Sequence, residues 1–202
     1  MKKFELTAEF VTNVFGKKLF RIKALVAFGD VEKGELGGFI EKEGNLSHDG
    51  DAWVSGDAQV SGNAWVSGNA QVSGDAQVSG NAWVSGDARV YGNARVSGDA
   101  RVYGNARVSG NAWVSGNAWV SGNADFSVVE GFGRYFRATT FFRCKDKILR
   151  VQCGCFYGDL AQFREIVKKT HGDSKYAKEY LAIADLMELH FSDEEEKQEA
   201  VE

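Results

Sequence analysis

Three histidines and three cysteines are the residues of this chain best suited to chemistry: His48, His171, His190, Cys144, Cys153 and Cys155. A histidine acts as a general base only when a second group orients its ring. His48 has no recognisable partner nearby in the sequence, so it reads as an exposed residue. The cysteines, with His171 or His190 as a fourth ligand, have the composition of a tetrahedral zinc site. Their spacing argues otherwise. Cys153 and Cys155 are two apart and share one face of a strand. A hairpin turning at Asp146-Lys147 puts Cys144 on that same face, with Phe142, Leu149 and Val151. The face is apolar, and the thiols are expected to pack as small core residues. No catalytic residue, metal ligand or cofactor is expected.

The remaining candidates are defined by a repeat. From Gly50 the chain runs in a six-residue frame of Gly, Asp or Asn, Ala, a variable residue, Val, and Ser or Tyr, which recurs thirteen times up to Gly122-Asn123-Ala124-Asp125-Phe126-Ser127. Gly38-Phe39-Ile40 and Gly44-Asn45-Leu46 are weaker copies, so the repeat begins near Gly38. Within Ala-x-Val-Ser, alternation points Ala and Val to one side, and the variable residue and Ser to the other. Gly with Asp or Asn then turns the corner, because these residues tolerate positive φ best. Three such units close one coil. The interior is expected to hold twelve valines, Phe126 and a ladder of alanines.

The variable positions point outward and sort onto three faces. One carries Trp53, Gln71, Arg89, Arg107 and Asp125, with Tyr91 beside Arg89. The second carries Gln59, Gln77, Arg95 and Trp113. The third carries Trp65, Trp83, Arg101 and Trp119, with Tyr103 two residues on. Outward tryptophan in such number marks a contact surface, and Trp, Tyr and Arg dominate binding hot spots. Self-association is the first expectation for the tryptophans. Arg89, Arg95, Arg101 and Arg107 occupy consecutive units and form a belt that could hold an anion, a nucleotide or an acidic partner surface. Without a ligand the belt is a solvated positive band.

The frame resembles that of the hexapeptide-repeat proteins, as in Val54-Ser55-Gly56-Asp57-Ala58-Gln59 and the units after it. That resemblance implies a left-handed parallel β-helix. Periodicity does not set the hand, and the general rule for parallel crossovers gives the opposite one. Many proteins of this fold are acyltransferases that use a histidine base on or near a coil, facing a neighbouring subunit, and a loop around the acyl donor. Here no histidine lies in the strict repeats, and no unit carries an inserted loop. The chain as a whole resembles hexapeptide-repeat proteins of bacteriophages and mobile elements. The similarity lies in Gly34-Glu35-Leu36-Gly37-Gly38-Phe39-Ile40-Glu41-Lys42-Glu43 before the repeat. After it, the similar segments are Phe141-Phe142-Arg143-Cys144-Lys145-Asp146 and Cys153-Gly154-Cys155-Phe156-Tyr157-Gly158.

The flanks must close the ends of the column. Residues 1–37 form a β cap with a hairpin, Phe10 to Phe15 and Lys18 to Leu25, turning at Gly16-Lys17. Residues 38–127 form the β-helix, about five coils in all. Residues 128–191 form a ββαα module whose strands are Thr140 to Cys144 and Ile148 to Cys155. Its first helix starts at an Asp159/Gln162 capping box, buries Leu160, Phe163, Ile166 and Val167, and ends at Gly172. A second helix starts near Ser174, with Tyr180, Leu181, Ala184 and Leu189 in the core. Residues 192–202 are acidic and read as a disordered tail.

Composition sets the remaining bounds. The chain has 202 residues, 44% hydrophobic and 26% charged, with 24 glycines and no proline. Glycine this abundant and strictly spaced signals a repeat fold rather than a linker. A net charge of −4 argues against a general nucleic-acid binder. No apolar run approaches the ~18 residues of a membrane span, and no signal peptide is apparent. Unpaired cysteines suit the cytoplasm of a bacterial host. The expected function is a non-catalytic binding or scaffold protein of phage or prophage origin that blocks a host defence by holding a protein or nucleotide signal. It is expected to be a dimer or trimer. An acyltransferase-like enzyme and a polymer-forming structural protein are the alternatives.

Overall fold

The structure, a computed structural model, describes residues 1–192. The expected acidic tail falls, from residue 193 onward, outside the described residues. The fold is mainly β. Its centre is a parallel β-solenoid of about five turns, with a strand cap before it and a strand sheet and two helices after it.

Three strands open the chain: β1 (Phe4–Thr12), β2 (Lys18–Ala24) and β3 (Leu36–Ile40). The turn between β1 and β2 is built on Asn13, whose Oδ1 accepts from the N–H groups of Phe15 and Lys17. β1 therefore starts six residues before the expected Phe10, at Phe4. Twelve two-residue strands follow, from β4 (Trp53–Val54) to β15 (Trp119–Val120), each a variable residue and its valine. They stack with an 18-residue register: Trp53 on Gln71, Gln71 on Arg89, and Arg89 on Arg107. The three faces expected from periodicity are the three sheets observed. The second continues through β3 into β2 and β1, making seven strands. Cap and column thus share one sheet, with Phe39 on Gln59 and Ile40 on Val60.

The interior is an apolar ladder in which every repeat valine from Val54 to Val120 and every alanine from Ala52 to Ala118 is buried. Each valine is worth ~1.5–3 kcal/mol of transfer free energy, which offsets the ordering of its short strand. Corners turn through glycines of positive φ. At Gly80 φ is +70°, and a Cβ there would lie 2.9 Å from the Gly98 backbone nitrogen one coil away.

The N–H groups that bond between coils point toward the C-terminal end, as in Ser55 N–H to Val72 O, and their carbonyl partners point the other way, while a corner alanine N–H, such as that of Ala58, donates within its own coil to Ser55 O. A column built so exposes orphan acceptors at its base and orphan donors at its top. At the base, Lys3 Nζ donates to Gly50 O (3.0 Å) and Ala52 O (2.9 Å). The Asn45 amide donates to Gly62 O and Ala64 O. At the top, Arg107 N–H donates to Asn123 Oδ1, Trp113 N–H to Thr140 Oγ1, and Ser121 N–H to Asp125 Oδ2.

The thirteenth repeat leaves the column. Residues Asn123–Asp125 form a 3-10 turn, and Phe126 is only partly buried. The chain continues as β16 (Phe126–Val129), which pairs antiparallel with β17 (Thr139–Arg143); β18 (Leu149–Cys153) and β19 (Phe156–Asp159) complete the sheet. The module has four strands where two were expected, because Phe126 to Val129 joins it and Gly154, at φ +58°, breaks the long second strand into two. Helices α1 (Leu160–His171) and α2 (Lys175–Phe191) pack on this sheet. The Asp159/Gln162 capping box forms reciprocally, at 2.8 and 3.0 Å, and Gly172 caps the other end. Ile166 and Leu189, expected in the core, are exposed, while Ile183, Met187 and Phe191 are buried. No helix among the described residues is long and apolar enough to cross a membrane.

Candidate functional site

The third face presents an open ladder. Trp65, Trp83, Arg101 and Trp119 lie in register on successive coils, with the three tryptophans 36–40% exposed. Trp65 and Trp83 stack at 5.1 Å between ring centroids and 25° between planes. The Arg101 guanidinium lies 5.3 Å from the Trp83 ring, and Tyr103 tilts against Trp119 at 6.1 Å. Trp83 Nε1–H donates to Ser67 Oγ, which holds the indole against the sheet. The flanking side chains Ser67, Ser85, Asn63 and Asn81 are short, so the aromatic ridge stands above them.

The first face differs at its base. Trp53 was expected to be exposed beside its fellow tryptophans and is 2% exposed. Its position in the repeat does point outward, but the N-terminal cap covers it. Phe28 meets its ring edge-on at 5.4 Å, and a Cβ on Gly37 would sit 2.7 Å from its Cζ2. Trp53 is a core anchor, and its indole N–H has no acceptor among the described residues. Above it, Arg89, Tyr91 and Arg107 line a groove of about 720 Å³ with Asp30, Asp51 and Gln71. On the second face Arg95 lies 5.8 Å from the Trp113 ring. Trp113 is half-buried, with its Nε1–H on Ser97 Oγ and its backbone N–H held by Thr140. The arginine belt is therefore divided: Arg95 and Arg101 each face an indole, while Arg89 and Arg107 stand in the groove.

The histidine and cysteine candidates are placed by the same geometry. His48 is not a free surface residue. Its Nδ1 accepts from the Lys3 backbone N–H at 3.1 Å, so the proton sits on Nε2, which donates to Glu43 Oε1 at 2.7 Å. Its ring stacks on Phe4 at 4.3 Å. The bond from His48, with Lys2 beside it, holds the Glu43 carboxyl below the usual range. The cysteines do not share a face. Phe142 pairs with Arg150, and Phe141 with Val151, one residue off the assumed register. A one-residue slip reverses sidedness. Cys144 packs with Phe142 against the column, Cys153 faces the helices, and Cys155 is exposed in the turn before β19. Burial pushes the Cys144 thiol up. Among the described residues no three His, Cys, Asp or Glu side chains group as a metal site.

The model of the YdcK β-solenoid repeat family matches residues 58–74, 70–86, 76–91, 88–104 and 100–116. The chain is a β-solenoid repeat protein. All five matches lie inside the stacked coils of the solenoid and none reaches either cap, so the likeness concerns the repeat alone. No curated protein matches the chain.

The residues missed by sequence reasoning are those that close the solenoid's ends. Lys3 is 3% exposed, and Asn45 is fully buried. Their signal was faint: a lysine beside an aromatic residue, and an asparagine in a corner of a degenerate repeat.

Proposed function

We propose that this solenoid is a non-catalytic binding protein whose third face, Trp65, Trp83, Arg101 and Trp119, joins it to a second copy of the chain. The observation that carries this reading is the in-register ladder of Trp65, Trp83, Arg101 and Trp119, whose indoles stay exposed although the C-terminal hairpin reaches its upper end at Lys145. Apolar ridges of this kind, ringed by short polar residues, have the composition of an interface centre. Two facts support the non-catalytic part. Both ring nitrogens of His48 are engaged, Nδ1 by the Lys3 backbone and Nε2 by Glu43, and the three thiols are spread over two faces and a turn. The setting is the one implied by the resemblance to phage and mobile-element proteins. There, an oligomeric scaffold would block a host defence by holding a protein or a nucleotide signal.

The competing use of the ridge is internal stiffening, because Trp65 on Trp83 and Arg101 on Trp83 are stabilising contacts in their own right. A variant carrying Trp65→Ser, Trp83→Ser and Trp119→Ser separates the two. An interface role predicts that the variant is a folded monomer, whatever its midpoint loses with the ring contacts. A stiffening role alone predicts a lowered midpoint with the oligomer unchanged.

A further inference from the structure

We infer that the groove on the first face is a binding site for a nucleoside monophosphate whose base carries an exocyclic amine. The inference rests on reading the column as a binding scaffold but not on the tryptophan face, which lies elsewhere on the solenoid.

The groove arises from differences in side-chain height along one face. At its lower end the 28–31 loop is held down by Phe28 on Trp53, and Gly29 lies so close to Asp51 that a Cβ there would be 3.2 Å from the aspartate's own. On the next coil the floor is low, at Gln71. The upper wall is Arg89, Tyr91 and Arg107; Asp87, two residues before Arg89, lines the flank of that wall and accepts from the Asn69 amide at 3.0 Å. The groove is open to solvent, and its volume of about 720 Å³ is within the range of small-molecule sites.

The upper end fits a phosphate. Arg89 and Arg107 are register partners on adjacent coils, about 4.8 Å apart at the backbone. Among the described residues their guanidiniums have no carboxylate, carbonyl or ring partner, in contrast to Arg95 and Arg101. Like charges stacked at one layer repel, and a phosphate bridging both removes the repulsion while using both forks. Tyr91, 40% exposed and two residues from Arg89, offers a ring for a base to stack on.

The lower end fits hydrogen-bond donors. Asp51 and Asp30 are acceptors only when ionised, and Asp51 stands two layers below Arg89, about 10 Å. Gln71 Nε2 already donates to the Asp51 backbone carbonyl, leaving its Oε1 as a further acceptor. An amine-bearing base turned toward these groups completes a dipolar ligand, negative at Arg89 and Arg107 and donating at Asp51 and Asp30. The aspartates also make the groove unfavourable for a triphosphate or a nucleic-acid strand, whose extra charge would meet carboxylates.

Isothermal titration calorimetry on the full chain tests the site with AMP, GMP, CMP, UMP, adenosine and inorganic phosphate, each to about 1 mM. At least one of AMP, GMP and CMP is expected to bind, with UMP, adenosine and phosphate at least about tenfold weaker. Arg89→Gln and Arg107→Gln should each lose at least about tenfold. Asp30→Asn, on an exposed loop, should narrow the gap to UMP. Arg95→Gln, on another face, should bind as the wild type does. Binding of none of the nucleotides overturns the inference. So does phosphate binding as tightly as the nucleotides, UMP matching the amine-bearing bases, or equal loss in Arg95→Gln. The mass of the unliganded protein, measured on the same samples, reports the tryptophan face separately.

Discussion

The Lys3 ammonium donates to the carbonyl oxygen of Ala52 at 2.9 Å, at the base of a column whose inter-coil carbonyls point that way. A second bond, to Gly50 O, and the Phe28 ring 4.5 Å from Nζ complete its surroundings. One side chain from the third residue of the chain thus closes an edge that would otherwise accept a foreign strand.

Removing that side chain has a cost that depends on pH. Lys3→Met leaves one buried carbonyl, of Ala52, and one partly buried carbonyl, of Gly50, without the ammonium and is expected to lower stability by about 1–3 kcal/mol at neutral pH. Burial pushes the Lys3 ammonium down to about 8, against the pull of Asp51 and Asp49, from 10.5 in the free side chain. Between those values the unfolded chain holds the extra proton, so stability rises with pH through that window. Urea unfolding of both proteins across the window should show their difference widening toward high pH. Parallel curves would contradict this placement of Lys3.

Tryptophans equivalent in the repeat should behave differently. Trp53→Ala empties a buried site beneath Phe28 and should cost about 3–5 kcal/mol. Trp65→Ala removes an exposed stacking partner worth about 0.5–1.5 kcal/mol. Equal losses in denaturant unfolding would mean that the cap does not cover Trp53 as described.

That contrast shows where the sequence could be read and where it could not. Strict periodicity made the coils, the inward valines and the three outward faces legible, since each follows from alternation and an 18-residue repeat. Burial of Trp53 was not legible, because a distant segment with no repeat of its own covers it. The register of the C-terminal sheet was not legible for a similar reason. Nothing in Lys145-Asp146-Lys147 sets the register of the hairpin, and one residue of slip moved Cys144 to the opposite face from Cys153. Phe126 keeps the repeat pattern, yet its strand pairs with β17 because the column ends there.

Thiol labelling reads that register directly. Cys155, exposed in its turn, should react first with iodoacetamide, and Cys153, half-buried under the helices, more slowly. Cys144, buried against the column with its thiol pushed up by burial, should react only on unfolding. Mass spectrometry of timed samples resolves the order, and early modification of Cys144 would refute the register.

Corner glycines should be far less tolerant than glycines outside the stack. Gly80→Ala forces a side chain into positive φ and toward the Gly98 backbone, and should destabilise by about 1–3 kcal/mol. Gly122, with extended φ of −154° and no atom within 4 Å of a built Cβ, should accept alanine within about 0.5 kcal/mol. Thermal unfolding of the two variants checks the pair.

The central claim is that the ridge of Trp65, Trp83 and Trp119 joins two copies of the chain, and native mass spectrometry of the wild-type protein tests it most directly. The account predicts a discrete dimer or trimer that becomes a monomer when the three tryptophans are replaced by serine. A wild-type protein that is monomeric at every concentration, or an oligomer unchanged by the triple substitution, would contradict it.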